Sequence, residues 1–194
     1  MSLRERKKAR TRSQLLESAL DLIERQGFAE TTINQIAAAV DVSPRTLLRY
    51  FPTKEDVIVS WVEECMGVFL SSLADRPEDE APQLSLFASA RALLAVYQAR
   101  CDFFLVIERT IASSPAISAR KLAMSSELLD KVSNVLRQRS PHSARAELAS
   151  DLYPALVFAI VRVAIKLWVA GNGKRGLVDI FDEATALVRF DALS

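Results

Sequence analysis

Histidine is nearly absent: His142 is the one copy in 194 residues. A single imidazole cannot build a zinc site of the usual kind, and it leaves no convincing Ser-His-Asp set. Cys65 and Cys101 have no CxxC spacing and no basic cluster beside them. A disulfide framework is excluded, and buried structural thiols are expected rather than a redox pair. Five glycines leave almost nothing for a phosphate cradle or a dinucleotide loop. No paired carboxylates flank an evident cleft. An enzyme, a cofactor and a metal are therefore all unexpected. Strand signals, internal repeats and low-complexity tracts are missing too. The first dozen residues are polar and basic, without the apolar stretch of a signal peptide, and a cytoplasmic protein is expected.

What remains is a helical composition, half hydrophobic and a quarter charged. The net charge of +1 is unevenly spread. Residues 1–54 carry ten Lys and Arg against six Asp and Glu, while the rest of the chain carries fifteen against eighteen. A basic front suits a polyanionic partner. Apolar residues recur every three or four positions, and the expected fold is all-α with about nine helices. The first helix is expected from about Lys8 to Gln26, with Leu16, Ala19, Leu20 and Ile23 inward and Gly27 just past its end. Thr32, with Gln35 three residues on, caps a helix over 33–40. Ser43 as N-cap and Pro44 at the first helical position open a third, reaching about Tyr50. Thr53 and Asp56 cap a fourth to about Ala74. The stretch DRPEDEAP (75–82) reads as a loop. Further helices are expected near 83–100, 102–112, 116–138, 143–171 and 176–191. Pro154 either kinks the eighth helix or marks its true first turn. Residues 152–170 approach the length of a membrane span, but Arg162 and Lys166 sit near the middle. A helix buried in protein is expected there, and no membrane partner.

The segment FAETTINQIAAAVDVSPRTLLRYFPTKED (28–56) has the spacing of a helix-turn-helix. Ile33, Ile36, Ala37, Val40, Val42, Leu47 and Phe51 are spaced to pack its two helices on the first. That leaves Arg45, Thr46, Arg49 and Tyr50 for the outer face. An arginine there reaches guanine O6 and N7 in a major groove, while Thr, Tyr and Lys suit phosphates.

These residues resemble the TetR family of bacterial transcriptional regulators. The resemblance covers about residues 13–58. It runs through Gly27-Phe28, Thr31-Thr32-Ile33, Ile36-Ala37, Val42-Ser43, Thr46-Leu47 and the closing Tyr50-Phe51-Pro52-Thr53-Lys54-Glu55. Asp41 stands where that family's turn usually has Gly, and Leu48 where its recognition helix usually has Tyr or Phe. The resemblance implies Arg45, Thr46 and Leu48 as base-facing residues, and Thr32, Arg49, Tyr50 and Lys54 as phosphate contacts. It also implies a DNA-binding domain over residues 1–53, and an effector-binding and dimerising domain over 54–194. Residues 1–7 are expected to form a flexible basic arm. The run Arg4, Arg6, Lys7, Lys8, Arg10 and Arg12 either adds backbone or minor-groove contacts or is a solvated tail.

The expected partners are a palindromic duplex operator, a small and mostly apolar effector, and a second copy of the chain. The expected role is a repressor; an activator or a non-specific architectural DNA-binding protein are the alternatives. Dimerisation is assigned to the last two helices, with Leu177, Ile180, Phe181, Ala184, Leu187 and Val188 on one stripe. Met66, Phe69, Tyr97, Phe103, Phe104, Met124 and Trp168 are candidates for an effector pocket, or else plain core. Arg109, Arg162 and Lys166 are its candidate polar members. Arg162 and Lys166 lie four apart and repel mildly. Glu108, Asp182, Glu183 or an acidic ligand would relieve them. His142, next to Pro141, reads as a solvated loop residue.

Overall fold

The computed structural model describes residues 2–139 and 143–188. Among them are nine helices and no strand: α1 (Leu3–Gln26), α2 (Ile33–Ala39), α3 (Pro44–Tyr50), α4 (Lys54–Ala74), α5 (Pro82–Ala99), α6 (Cys101–Ser113), α7 (Pro115–Arg139), α8 (Ala144–Ala170) and α9 (Leu177–Ala186). Pro141, His142 and the expected end of the last helix beyond Val188 lie outside the described residues.

The chain divides into two compact units. One combines Met1–Val62 with Val106–Ser118, the other Glu63–Leu105 with Ala119–Ser194. The sequence puts a boundary between 53 and 54, at the start of α4; the compact units divide inside that helix, and the first recruits a distant stretch of chain. Caps and turn residues mark where a helix stops. They carry no information about which later segment returns to it.

In the first unit, local chemistry sets each helix. The α1 stripe of Leu15, Leu16, Ala19, Leu20 and Ile23 is buried. Gly27 ends the helix at φ 85°, a conformation that a side chain disfavours. The Thr31 hydroxyl then donates to the Gly27 carbonyl at 2.8 Å. Thr32 and Gln35 form the expected reciprocal cap on α2. The turn to α3 holds Asp41 at φ 54°, which Asp tolerates better than most residues. Ser43 caps α3, with Pro44 in its first turn. α2 packs on both α1 and α3. Ile36, Ala37, Leu47 and Phe51 are fully buried in this small core.

α1 starts at Leu3, not near Lys8, because Ser2 and Glu5 make another reciprocal cap. The Ser2 amide donates to the Glu5 carboxylate at 2.6 Å, and the Glu5 amide to the Ser2 hydroxyl at 3.2 Å. Residues 3–7 are therefore helix rather than a separate arm.

In the second unit α8 packs with α5 and α9, which also pack together. Its inner face carries Tyr153, Pro154, Val157, Ile160, Val161, Ala164 and Trp168. Pro154 lies in mid-helix: Ser143 caps α8 through the Ala146 amide at 3.2 Å, so the first turn is ten residues earlier than one opened by Pro154. A proline there has no N–H for the Ser150 carbonyl. By length and composition α4 and α8 could each cross a bilayer, and in this structure each buries one stripe. The loop after α4 is held by Arg76, whose Nε donates to Glu80 at 2.7 Å, and by Ser85, whose hydroxyl donates to the same carboxylate at 2.6 Å. Those hydrogen bonds, Arg76 first, pull the Glu80 pKa from 4.5 to about 2.

Candidate nucleic-acid interface

α3 is seven residues long, so its faces are decided by its one fully buried side chain. Leu47 points into the core at 0 % exposure. At 100° per residue Arg45 and Arg49 then fall on the opposite side, with Thr46 and Leu48 flanking them. The structure agrees: Arg45, Leu48 and Arg49 are exposed, Thr46 and Tyr50 half-buried. Neither guanidinium meets a carboxylate among the described residues; Arg49 lies over the Tyr50 ring at 5.6 Å. Two like charges at i,i+4 with no acid nearby repel one another. An anion or a base edge placed against this face removes that cost. The helix itself is rigidly set, by the Ser43 hydroxyl accepting from the Thr46 amide at 3.1 Å and by Phe51 closing its far end. The Ser43 and Thr46 hydroxyls share a hydrogen bond at 2.9 Å.

Two expected phosphate contacts are already engaged. The Thr32 hydroxyl donates to Gln35 at 3.0 Å as part of the α2 cap. The Lys54 ammonium donates to the carbonyls of Phe28 (2.8 Å), Ala29 (3.1 Å) and Thr31 (3.3 Å), and sits 4.5 Å from the Phe28 ring centre. An ammonium has three N–H groups, and all three are used. In this structure Lys54 ties the α1–α2 turn to the start of α4. The signal was present in its position. A cation in the first turn of a helix is opposed by the helix dipole, so it must find acceptors elsewhere.

The expected effector residues are scattered. Phe69, Tyr97, Phe103, Phe104 and Trp168 are buried core, with Phe104 stacked on Tyr97 at 3.9 Å and edge-on to Phe103 at 5.2 Å. Phe69 meets Phe158 at 5.2 Å. Met66 and Met124 are half-buried. Arg109 is exposed and belongs to the first unit. Arg162 and Lys166 are exposed on α8, with no ion pair among the described residues, because Asp182 pairs with Arg91 and Glu183 with Arg175. A cleft of about 670 Å3 lies where sequence reasoning did not look, between Leu70, Leu73 and Ala74 at the end of α4, Glu78 and Asp79 of the loop, and Val135, Gln138 and Arg139 of α7. The α9 stripe also divides. Leu177, Ile180 and Phe181 are buried within the subunit, Ala184 and Val188 are half-buried, and Leu187 is 87 % exposed. The three buried residues are occupied by their own chain and have no surface for a partner. Leu148, Val163 and Leu167 are exposed on α8, the other helix to which dimerisation is assigned.

Comparison with known proteins locates the same segment. The profile of bacterial regulatory proteins of the tetR family matches residues 15–60. The regulator TcmR of Streptomyces glaucescens is 31 % identical over 166 residues, covering 82 % of this chain and 72 % of that protein. The fatty acid degradation regulator FadR of Bacillus halodurans superposes with a TM-score of 0.67 at 18 % identity, covering 91 % of this chain and 93 % of its own. FadR of Bacillus subtilis, solved with stearoyl-CoA, superposes at 0.66 and 18 % identity, covering 90 % and 96 %.

Proposed function

Because the chain belongs to the TetR family of bacterial transcriptional regulators, we propose that it is a repressor that reads a palindromic operator as a homodimer and leaves it on binding a small, largely apolar effector. The observation that carries the DNA reading is the outer face of α3, with Arg45 and Arg49 uncompensated on a helix whose orientation Leu47, Ser43 and Phe51 fix. In this reading Arg45 and Thr46 face base edges and Leu48 offers a contact for a thymine methyl. Arg49, Tyr50 and Thr32 hold phosphates; Lys54 positions the turn. Residues 1–53 perform the reading, and 54–194 carry the effector site and the dimer contact. The exposed apolar residues Leu148, Val163 and Leu167 of α8, with Leu187 after α9, meet a second copy. A two-fold axis then sets two copies of α3 about 34–36 Å apart, one helical turn of DNA.

The apolar part of the effector we infer is a long acyl chain. This rests on the B. subtilis neighbour's stearoyl-CoA and on the cleft beside Leu70, Leu73 and Val135, whose volume suits a small molecule. Release follows if the effector favours a state in which the two copies of α3 no longer fit successive grooves.

Selection of binding sites from random duplexes tests the DNA reading. A palindromic sequence enriched by the full chain, and lost position by position in Arg45→Ala at about 1–3 kcal/mol per contacted base pair, is expected. Equal binding to all duplexes refutes it. Stearoyl-CoA, with free coenzyme A as control, should release the selected DNA.

A further inference from the structure

The Ser2–Glu5 cap fixes where α1 starts but does not by itself offset the cost of its first turns. Residues 3–14 run about 18 Å along the helix axis and bury no side chain, since the first buried residue is Leu15. An unpacked helix in water is marginal. This one is further opposed by its own charges. Arg4 and Lys8, Lys8 and Arg12, and Arg6 and Arg10 are like-charged pairs at i,i+4, and all lie toward the positive end of the helix. Arg4, Arg6, Lys7, Lys8 and Arg10 have no acidic partner among the described residues, because the one carboxylate in this stretch, Glu5, is engaged with Ser2. The cations are not equivalent. Arg4, Lys8 and Arg12 form one row, about 6 Å apart, continuing the face that Leu15, Leu16 and Ala19 turn toward the core. Arg6, Lys7 and Arg10 occupy the other side. The row reaches the DNA-reading helix: the Arg12 guanidinium lies 5.4 Å from the ring centre of Phe51, the residue that closes α3 directly after Arg49 and Tyr50.

We propose that this row is a second DNA-contacting surface, in which Arg4 and Lys8 hold backbone phosphates of the duplex beside the groove that α3 enters. The proposal rests on α3 being the reading helix and adds a sequence-independent contact to it. Duplex DNA is the partner because the row abuts the end of α3 and because the evenly spaced cations meet a surface with one charge per about 1.7 Å of axis. Phosphate neutralisation also removes the repulsion that opposes the helix, so these turns become more helical on the duplex.

The test compares two double variants of the full chain with equal net charge, Arg4→Gln/Lys8→Gln on the row and Arg6→Gln/Arg10→Gln on the opposite side. Affinity for the selected operator and for an unrelated duplex is measured from about 50 to 200 mM salt. The row variant should lower the slope of log affinity against log salt by about 3.6 on both duplexes, about 0.9 for each of the four phosphate contacts that a dimer loses, with the ratio between the two duplexes unchanged. The opposite-side variant should change it by less than half as much. Equal reductions from both variants would mean diffuse charge or a mobile arm, and would overturn the proposal. So would no reduction from either, or a row variant that loses binding only to vesicles of anionic lipid. A parent chain with no operator preference would instead defeat the reading of α3, and this is seen before any variant is made.

Discussion

Lys54→Met separates two roles that a basic residue near DNA can play. The methionine keeps an apolar stem against the Phe28 ring but removes all three N–H groups. The carbonyls of Phe28, Ala29 and Thr31 then lose donors at 2.8, 3.1 and 3.3 Å. Hydrogen bonds from a charged donor contribute about 1.5–3 kcal/mol. A cation over an aromatic face adds about 0.5–1 kcal/mol at accessible sites. Lys54 is half-buried, so water replaces part of this, and a loss of about 2 kcal/mol is expected. For a chain of this length that lowers Tm by about 4–8 °C if it melts in one step. The assay is a thermal melt without DNA, paired with the salt dependence of operator binding. A positioning role lowers Tm and leaves the salt slope unchanged. An unaltered Tm with a slope smaller by about 1.8, about 0.9 for each subunit of the dimer, would identify a phosphate contact and refute the turn-locking role.

Leu167→Glu places a charge on the exposed apolar face of α8 and should halve the mass seen by light scattering; an unchanged dimer would move the contact elsewhere. Gly173→Ala should destabilise by about 2 kcal/mol, because φ is +68° and the new Cβ would sit 2.5 Å from Cys101 Sγ and 3.1 Å from Leu105 Cδ1. Adding Cys101→Ala should recover part of that loss, measured by urea unfolding. The Glu80 carboxyl should titrate near 2 by carbon NMR and move upward in Arg76→Gln, where the Ser85 hydrogen bond alone still lowers it. Since its folded-state pKa is depressed, the staple contributes stability above the ordinary carboxylate range and loses it as pH falls from 4.5 toward 2. A single midpoint near 4.5 in the parent chain would show that Arg76 does not hold it.

The sequence was most informative where structure is decided within four residues. Thr32 with Gln35, Ser43 with Pro44, and Thr53 with Asp56 each specify a helix start from adjacent side chains, and all three starts are as expected. Ser2 and Glu5 specify the start of α1 in the same way, beside a density of positive charge that also suits a tail. Long-range choices were less legible. An apolar stripe such as Leu177, Ile180 and Phe181 looks the same whether its own chain or a second copy covers it, and here the chain covers it. Phe104 and Trp168 likewise read equally as pocket or core until Tyr97 and Gly173 are seen against them. For Lys54 the first-turn position signals a need for acceptors, but not which ones, since carbonyls belong to every residue.

That the first compact unit draws on both Met1–Val62 and Val106–Ser118 bears on how the protein comes into being. A ribosome that has released the reading helix has not yet supplied Ile107, Ile111 and Ile117, all of them buried in the finished molecule. The intervening chain must be looped out before those isoleucines arrive, at an entropic cost that grows only slowly with its length. Excising the amino-terminal segment as a stand-alone reagent would leave that wall of the unit missing, whereas lengthening the loop at 75–81 should be tolerated.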